Sequence, residues 1–91
     1  MTGDDPIPLH MVYFAWVRER IGRAEETLHP PASLKTIRDL LTWLSGQSAG
    51  HASALSDLRA IRIAINQDHA GLDDPIHAGD EIALFPPVSG G

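Results

Sequence analysis

The sequence predicts an α+β domain, with one main helix packed on one face of a mixed sheet of about five strands. Three observations lead there. Leu34, Ile37, Leu40, Leu41 and Leu44 recur at helical spacing, which draws a single apolar stripe along a helix. Residues 60–66 alternate, with Ile61, Ile63 and Ile65 on one side and Arg62, Ala64 and Asn66 on the other, the pattern of a half-buried strand. Two more β-rich runs stand near the ends of the chain, at residues 9–17 and 81–85. Strands, a helix, then more strands favour a helix layer on a sheet layer.

Taken in order, residues 1–8 (MTGDDPIP) are polar, acidic and proline-bearing, and they are expected to form a flexible N-terminal extension to a domain spanning 9–91. Residues 9–17 (LHMVYFAWV) are apolar on both alternating faces, as a central strand is. The run breaks at Arg18-Glu-Arg-Ile-Gly22, where Gly22 can supply a turn that other residues resist. Residues 24–29 could return as a short second strand, ended by Pro30-Pro31. Ser33 is a candidate N-cap, its hydroxyl able to satisfy a free amide of the first turn. Trp43 falls on the flank of the helical stripe, and residues 47–58 read as an irregular or weakly helical connection. Beyond the strand at 60–66, residues 66–71 read as a turn and a very short strand is expected near Leu72. Pro75–Asp80 is another turn, with Gly79 available for a positive φ. The last strand, Glu81–Phe85, runs into Pro86-Pro87-Val-Ser-Gly-Gly91. If the first and last strands are central neighbours they run parallel, and the arrangement is a β-grasp.

Composition removes several functions. At 91 residues the chain is one domain's worth. With no cysteine it has no disulfide, no thiolate metal site and no cysteine nucleophile, a composition compatible with a reducing cytoplasm. The formal charge is −5, acids outnumbering Lys and Arg 12 to 7, which opposes binding of nucleic acid phosphates. No apolar run approaches the ~20 residues of a membrane span, so neither nucleic acid nor membrane is an expected partner.

The usual catalytic constellations are missing as well. His10, His29, His51, His69 and His77 are scattered, without the short spacing that builds a metal site, and all five read as surface histidines. Asp73-Asp74 and Asp80-Glu81 flank turns and read as solvated charge rather than acid–base pairs. Ser89 has no evident base. The distinctive segment is the end of the chain. Pro86 and Pro87 hold an extended path, and Gly90 and Gly91 lack the Cβ atoms that would bar a narrow channel. A carboxylate on such a tip could be delivered into another protein's active site. The plain alternative is that Ser-Gly-Gly is a frayed end.

The stretch GDEIALFPPVSGG, residues 79–91, resembles the C-terminal signature of the small, sulfur-carrier subunit of molybdopterin synthase, a ubiquitin-like β-grasp family. YFAWVRERIG, residues 13–22, is similar to the family's first strand and following turn, and AINQ, residues 64–67, to its third strand and hairpin. The likeness covers about residues 11–91 and leaves the N-terminal extension aside. It implies that the Gly91 carboxylate is adenylated by an ATP-dependent activating enzyme and then converted to a thiocarboxylate with sulfur from a persulfide donor protein. The tail (Pro86, Pro87, Val88, Ser89, Gly90) would carry it into the large catalytic subunit, where sulfur passes to precursor Z. The family assembly is a heterotetramer, and its acid–base groups belong to the large subunit. The resemblance therefore implies no activity for this chain alone, no tightly bound cofactor or metal, and only a transient acyl-adenylate.

For docking, Phe85 should face away from the helix if Ile82 and Leu84 face it. Phe14 matches an apolar family position that meets the partner, and reads equally as ordinary core. Arg18 matches a family arginine that can pair with acidic partner groups, or is solvated. Three other functions stay open: a sulfur carrier for thiamine or tRNA thiolation, a modifier that conjugates through Gly91 to lysines, and a binding module with an inert tail. Phe-Pro-Pro before the tail favours the molybdopterin branch.

Overall fold

The computed structural model describes residues 7–87; residues 1–6 and 88–91 lie outside it. The sheet has five strands: β1 Leu9–Tyr13, β2 Glu25–Leu28, β3 Arg62–Ile65, β4 Asp68–Ala70 and β5 Glu81–Phe85. Their spatial order is β2-β1-β5-β3-β4. The terminal strands do lie side by side at the centre and parallel, with Met11 opposite Ile82 and Tyr13 opposite Leu84, while β1–β2, β3–β5 and β3–β4 are antiparallel. Such a parallel pair needs a long connection, which here is the whole stretch between Tyr13 and Glu81, helices and the other three strands included.

One face of the sheet is the core. Leu9, Met11 and Tyr13 of β1, Ile63 of β3, and Ile82 and Leu84 of β5 are buried there. Helix α2, Ile37–Ser45, lays Ile37, Leu40, Leu41 and Leu44 over them, as the periodicity predicts, and Trp43 sits half-buried on the flank. The four α2 side chains are 0–1 % exposed, and each buried Leu or Ile contributes about 1.5–3 kcal/mol relative to exposure.

Four local expectations need correction. Helix α2 is capped by Thr36, not Ser33. Thr36 Oγ1 accepts from Asp39 N at 3.2 Å, and Asp39 Oδ2 accepts from Thr36 N at 3.3 Å, so two orphan amides are satisfied reciprocally. Leu34 therefore precedes the helix, although it still packs on the core. The run at 9–17 is not one strand. The chain leaves the sheet at Phe14, Ala15 adopts φ 54°, and residues Ala15–Ile21 form helix α1. The period changes there from two to four: Val17 is fully buried, Ile21 packs on the core, and Arg20 stacks 4.7 Å above the Trp16 ring one turn back. Gly22, with φ 95°, closes α1 by donating to Arg18 O at 2.8 Å, as its permissive backbone suggests.

The third correction concerns the connection after α2, which holds a defined helix α3, Ala49–Ala54, capped by Ser48, and a 3-10 turn over Leu58–Ala60. The fourth concerns the turn after β3, which is shorter than residues 66–71. Asn66 and Gln67, with φ 51° and 74°, make a two-residue reversal that matches the twist of flanking strands. Strand β4 therefore lies within the stretch read as turn, not near Leu72. At the other end of the chain, Ile7 and Pro8, placed above in the extension, are tied to the domain. Ile7 N donates to Pro30 O at 3.0 Å, and Pro8 O accepts from Gly79 N at 2.7 Å; Gly79 has the expected positive φ, 89°.

Candidate functional site

The sheet face opposite the helices is set by the same alternation that fills the core. His10 and Val12 of β1, Glu81, Ala83 and Phe85 of β5, Arg62 and Ala64 of β3, and His69 of β4 alternate with the buried residues and share this second face. Phe85 therefore faces away from the helices, as expected from Ile82 and Leu84, which are both 0 % exposed. Its ring is half-buried and meets the His69 ring edge-on, with centroids 5.9 Å apart. After it, Pro86 is half-buried and Pro87 exposed. Val88, Ser89, Gly90 and Gly91, the rest of the predicted tail, lie outside the described residues.

Phe14 stands beside this exit. Its amide donates to Leu84 O at 3.1 Å, which extends the β1–β5 pairing one step and brings the end of β1 level with the root of the tail. Its side chain is 48 % exposed, a large apolar group on open surface, so the reading of Phe14 as ordinary core does not hold. An exposed aromatic is the kind of group interfaces use as an anchor. Ala15, next in sequence, sits in the left-handed region, which costs a non-glycine residue about 1–2 kcal/mol. That conformation turns the chain out of the sheet here and leaves the Phe14 ring outside. Arg18, one turn along α1, is exposed and has no carboxylate partner among the described residues. Phe14, Phe85, Pro86, Pro87 and Arg18 are thus gathered at one end of the domain, although they come from both ends of the sequence.

Behind this end lies a polar cluster that the scattered histidines did not suggest. His51 is buried, at 6 % exposure, which corrects its reading as a surface histidine. His51 Nε2 donates to Glu26 Oε2 at 2.7 Å, and His51 Nδ1 lies 2.7 Å from Ser48 Oγ. Tyr13 O–H donates to the same Glu26 oxygen at 2.6 Å, and Arg23 Nη1 to the other at 3.2 Å. Burial disfavours the Glu26 anion, but hydrogen bonds from Tyr13 and His51, with the charges of His51 and Arg23, outweigh it and hold the carboxyl below its ordinary range. Burial first, then the bond to Glu26, pushes the Tyr13 phenol far up. The Ser48–His51–Glu26 chain has the composition of a catalytic triad. Its serine, however, caps α3 by accepting from His51 N at 3.1 Å, and Tyr13 occupies the carboxylate as well. It is a structural lock that ties β1 and β2 to α3.

The sequence did hold a signal for this lock. Glu26 and Leu28 of β2 pair with the buried Met11 and Leu9, so Glu26 is an acid on the core-facing side of its strand, and such an acid requires a buried partner. Among the described residues there is no pocket and no group of three metal-ligating side chains. None of their helices is long and apolar enough to cross a membrane.

Comparison with known proteins fits this geometry. The ThiS family matches residues 11–91. The chain is 36% identical over 83 residues to the molybdopterin synthase sulfur carrier subunit of Escherichia coli strain K12, covering 91% of this chain and 99% of that protein. The crystal structure of SAMP1, a small archaeal modifier protein, from Haloferax volcanii superposes with a TM-score of 0.68 at 30% identity, covering 92% of this chain and 99% of that one. A complex of subunits 1 and 2 of molybdopterin-converting factor from Helicobacter pylori 26695 shares the fold, at a TM-score of 0.63 and 22% identity, covering 93% of this chain and 100% of that one.

Proposed function

The chain belongs to the ThiS family, and from that membership we propose that it is the sulfur carrier of molybdenum cofactor biosynthesis, with the Gly91 carboxylate as its working group. The observation that carries this reading is the near full-length likeness to a molybdopterin synthase sulfur carrier subunit. The end of β5 supports it, because Pro86 and Pro87 lead out of the domain beside an exposed aromatic.

A carboxylate is a poor electrophile, being anionic and resonance-stabilised. On an ATP-dependent activating enzyme its oxygen becomes part of an acyl-adenylate, with AMP as leaving group. The outer sulfur of a donor persulfide then attacks the acyl carbon and expels AMP, and a thiol cleaves the resulting acyl disulfide, so that the thiocarboxylate is released as the thiol and the donor sulfur become a disulfide. The thiocarboxylate enters the large subunit of molybdopterin synthase, where it gives its sulfur to precursor Z. With no cysteine in the chain, the terminal carbonyl is the one place sulfur can ride. Phe14 and Phe85 anchor the docked domain, and the activating enzyme and donor meet the same tail.

The test is intact-mass measurement after incubation with the activating enzyme, ATP and a sulfur donor, followed by a synthase assay with the large subunit. An oxygen-to-sulfur exchange that disappears in a chain lacking Gly91 is expected. Removing one residue withdraws the reactive carbon by about 3.3–3.6 Å, more than an aligned attack tolerates. A des-Gly91 chain that still converts precursor Z would end the carrier reading. The likeness to SAMP1 favours one second reading, in which the activated Gly91 acyl group is captured by a lysine amine. Covalent adducts to other proteins in the same experiment would support it.

A further inference from the structure

Strand β2 is the outer strand on its side of the sheet, with only β1 beside it. Its inner and outer edges can be told apart residue by residue. Tyr13 N donates to Ala24 O at 2.8 Å and Ile7 N to Pro30 O at 3.0 Å, in the register that sets Met11 opposite Glu26 and Leu9 opposite Leu28. Hydrogen-bonded and non-bonded pairs alternate along an antiparallel ladder. Glu26 and Leu28 therefore bond to β1, while the backbone groups of Glu25, Thr27 and His29 point out of the sheet. The other side of β1 keeps the same alternation, with His10 N and Phe14 N donating to Asp80 O and Leu84 O beside β5. Among the described residues, no backbone partner reaches the N–H or C=O groups of Glu25, Thr27 and His29.

An open edge pairs with other strands unless something limits it. Here Pro30 and Pro31 follow directly, and Pro31, next in the outward series, has no N–H to offer. The edge can therefore hold Glu25, Thr27 and His29 and little more. Their side chains are exposed and lie on the open face of the sheet, Glu25 opposite Val12 and Thr27 opposite His10. Acid, hydroxyl and imidazole in that order complement themselves when the strand is reversed. In an antiparallel pair of two copies centred on Thr27, each Glu25 lies opposite His29 of the second copy, and the two threonines face each other. Glu25 Oε1 is taken by His10 Nε2 at 2.8 Å, which leaves Oε2 for the incoming imidazole N–H. Sliding the copies toward Glu25 brings like carboxylates together, and such a cross-strand pair is destabilising. Sliding them the other way draws Pro31 into the ladder.

We propose that the outer edge of β2 pairs with the same edge of a second copy of this chain, joining the two sheets into one about a two-fold axis at Thr27. A contact in which the same patch meets itself closes at two copies and does not propagate. The Glu25–His29 pairs and the facing threonines fix its register, as opposite-charge and Thr–Thr pairs do across strands. A joint this short falls below the roughly 1,200–2,000 Å² that stable complexes bury, so the copies associate weakly and reversibly. The joined edge lies on the far side of β1 from β5, which leaves Phe14, Phe85 and Pro86-Pro87 open in both copies. Self-association of this kind does not depend on the chemistry at Gly91.

The experiment is sedimentation velocity of the full chain from about 10 µM to about 1 mM, a range that brackets weak association, with amide hydrogen exchange at both ends of it. The sedimentation coefficient should climb toward that of a dimer, and the Glu25, Thr27 and His29 amides should exchange more slowly at the high end. Thr27→Pro removes the central outward N–H and no bond to β1, at an edge position that accepts proline; it should keep its circular dichroism and stay monomeric. Glu25→His and His29→Glu each replace two complementary pairs by two like ones, and each should weaken association roughly two- to thirtyfold. The double variant Glu25→His/His29→Glu restores the pairs in reverse and should recover the wild-type dimer. A wild type that is monomeric at about 1 mM would overturn the proposal, as would a double variant no better than the single ones. Slower exchange at these amides only when the large subunit is added would also overturn it, because the edge would then serve a different strand.

Discussion

Replacing Glu26 by alanine should cost the domain more stability than its position on a short outer strand suggests. The carboxylate is the shared acceptor for Tyr13 O–H at 2.6 Å and His51 Nε2 at 2.7 Å, and those residues are 1 % and 6 % exposed. Alanine leaves two buried donors without a partner, at about 1–3 kcal/mol each. The two losses share one acceptor and do not simply add, which sets the expected cost at about 3 kcal/mol. For a domain of this length that corresponds to a fall of roughly 12–24 °C in Tm, at about 4–8 °C per kcal/mol. Acid should act on the same bonds. The folded Glu26 carboxyl is held below its ordinary value of 4.5, so the folded state binds fewer protons there than the unfolded chain. Its stabilisation is therefore fully present well above pH 4.5 and is lost as pH falls through the folded value. Urea unfolding followed by circular dichroism, from neutral pH down to about pH 3 where the ordinary carboxylates protonate, measures both effects. The wild type should lose stability over that window, and Glu26→Ala should lose less because the linked group is gone. Alanine and wild-type chains within about 1 kcal/mol of each other at neutral pH, with the same acid slope, would refute the idea that this carboxylate holds β2 and β1 to α3.

Two further changes test packing and docking. Gly50→Ala should destabilise by about 1–3 kcal/mol, because its added Cβ would lie 2.4 Å from Arg20 O, where α3 crosses α1; a melting temperature equal to wild type would show that the two helices separate freely. Phe85→Ala should weaken binding to the large subunit by on the order of 2 kcal/mol with little change in Tm, measured by calorimetry beside a thermal melt. A sharp fall in Tm with unchanged affinity would place Phe85 in the core.

The parts of the fold legible in the sequence are those where one apolar period runs unbroken. The leucines of α2 and the isoleucines leading into β3 declare their buried faces, and Glu81–Phe85 is bounded by a glycine turn and two prolines. Helix α1 was hidden because its first residues, Ala15-Trp16-Val17, continue the apolar run of β1 with no break in composition, so the charged residues after them read as a turn. What separates the two is a backbone turn at Ala15 that no residue type advertises. Helix α3, AGHASA, has no large apolar residue to mark a stripe, and its buried members are His51 and Ala54. A histidine in such a segment looks solvent-facing until Glu26 is seen to point at it from another element. The site divides in the same way. Pro86 and Pro87 stand out in the sequence as the end of β5, whereas the placement of Phe14 and Arg18 beside them depends on the parallel pairing of β1 with β5, a contact between opposite ends of the chain.

That pairing also explains why the end of β5 is held stiffly. On the proposed carrier reading, the usefulness of a reactive Gly91 depends on how well the chain is held where it leaves the sheet at Phe85. Strand β5 is held on both sides, by β1 and by β3, with Ile82 and Leu84 fully buried beneath it. The neighbour that reaches the root, Tyr13, is fixed through Glu26 to α3 rather than left to packing alone. A hydrogen-bonded carboxylate specifies one arrangement where apolar contacts tolerate several. Placing the lock one residue before Phe14 keeps the Phe14 ring and the end of β5 in fixed relation, so that on the proposed carrier reading binding energy gathered at Phe14 and Phe85 would go into positioning the Gly91 carbonyl rather than into ordering the domain that carries it.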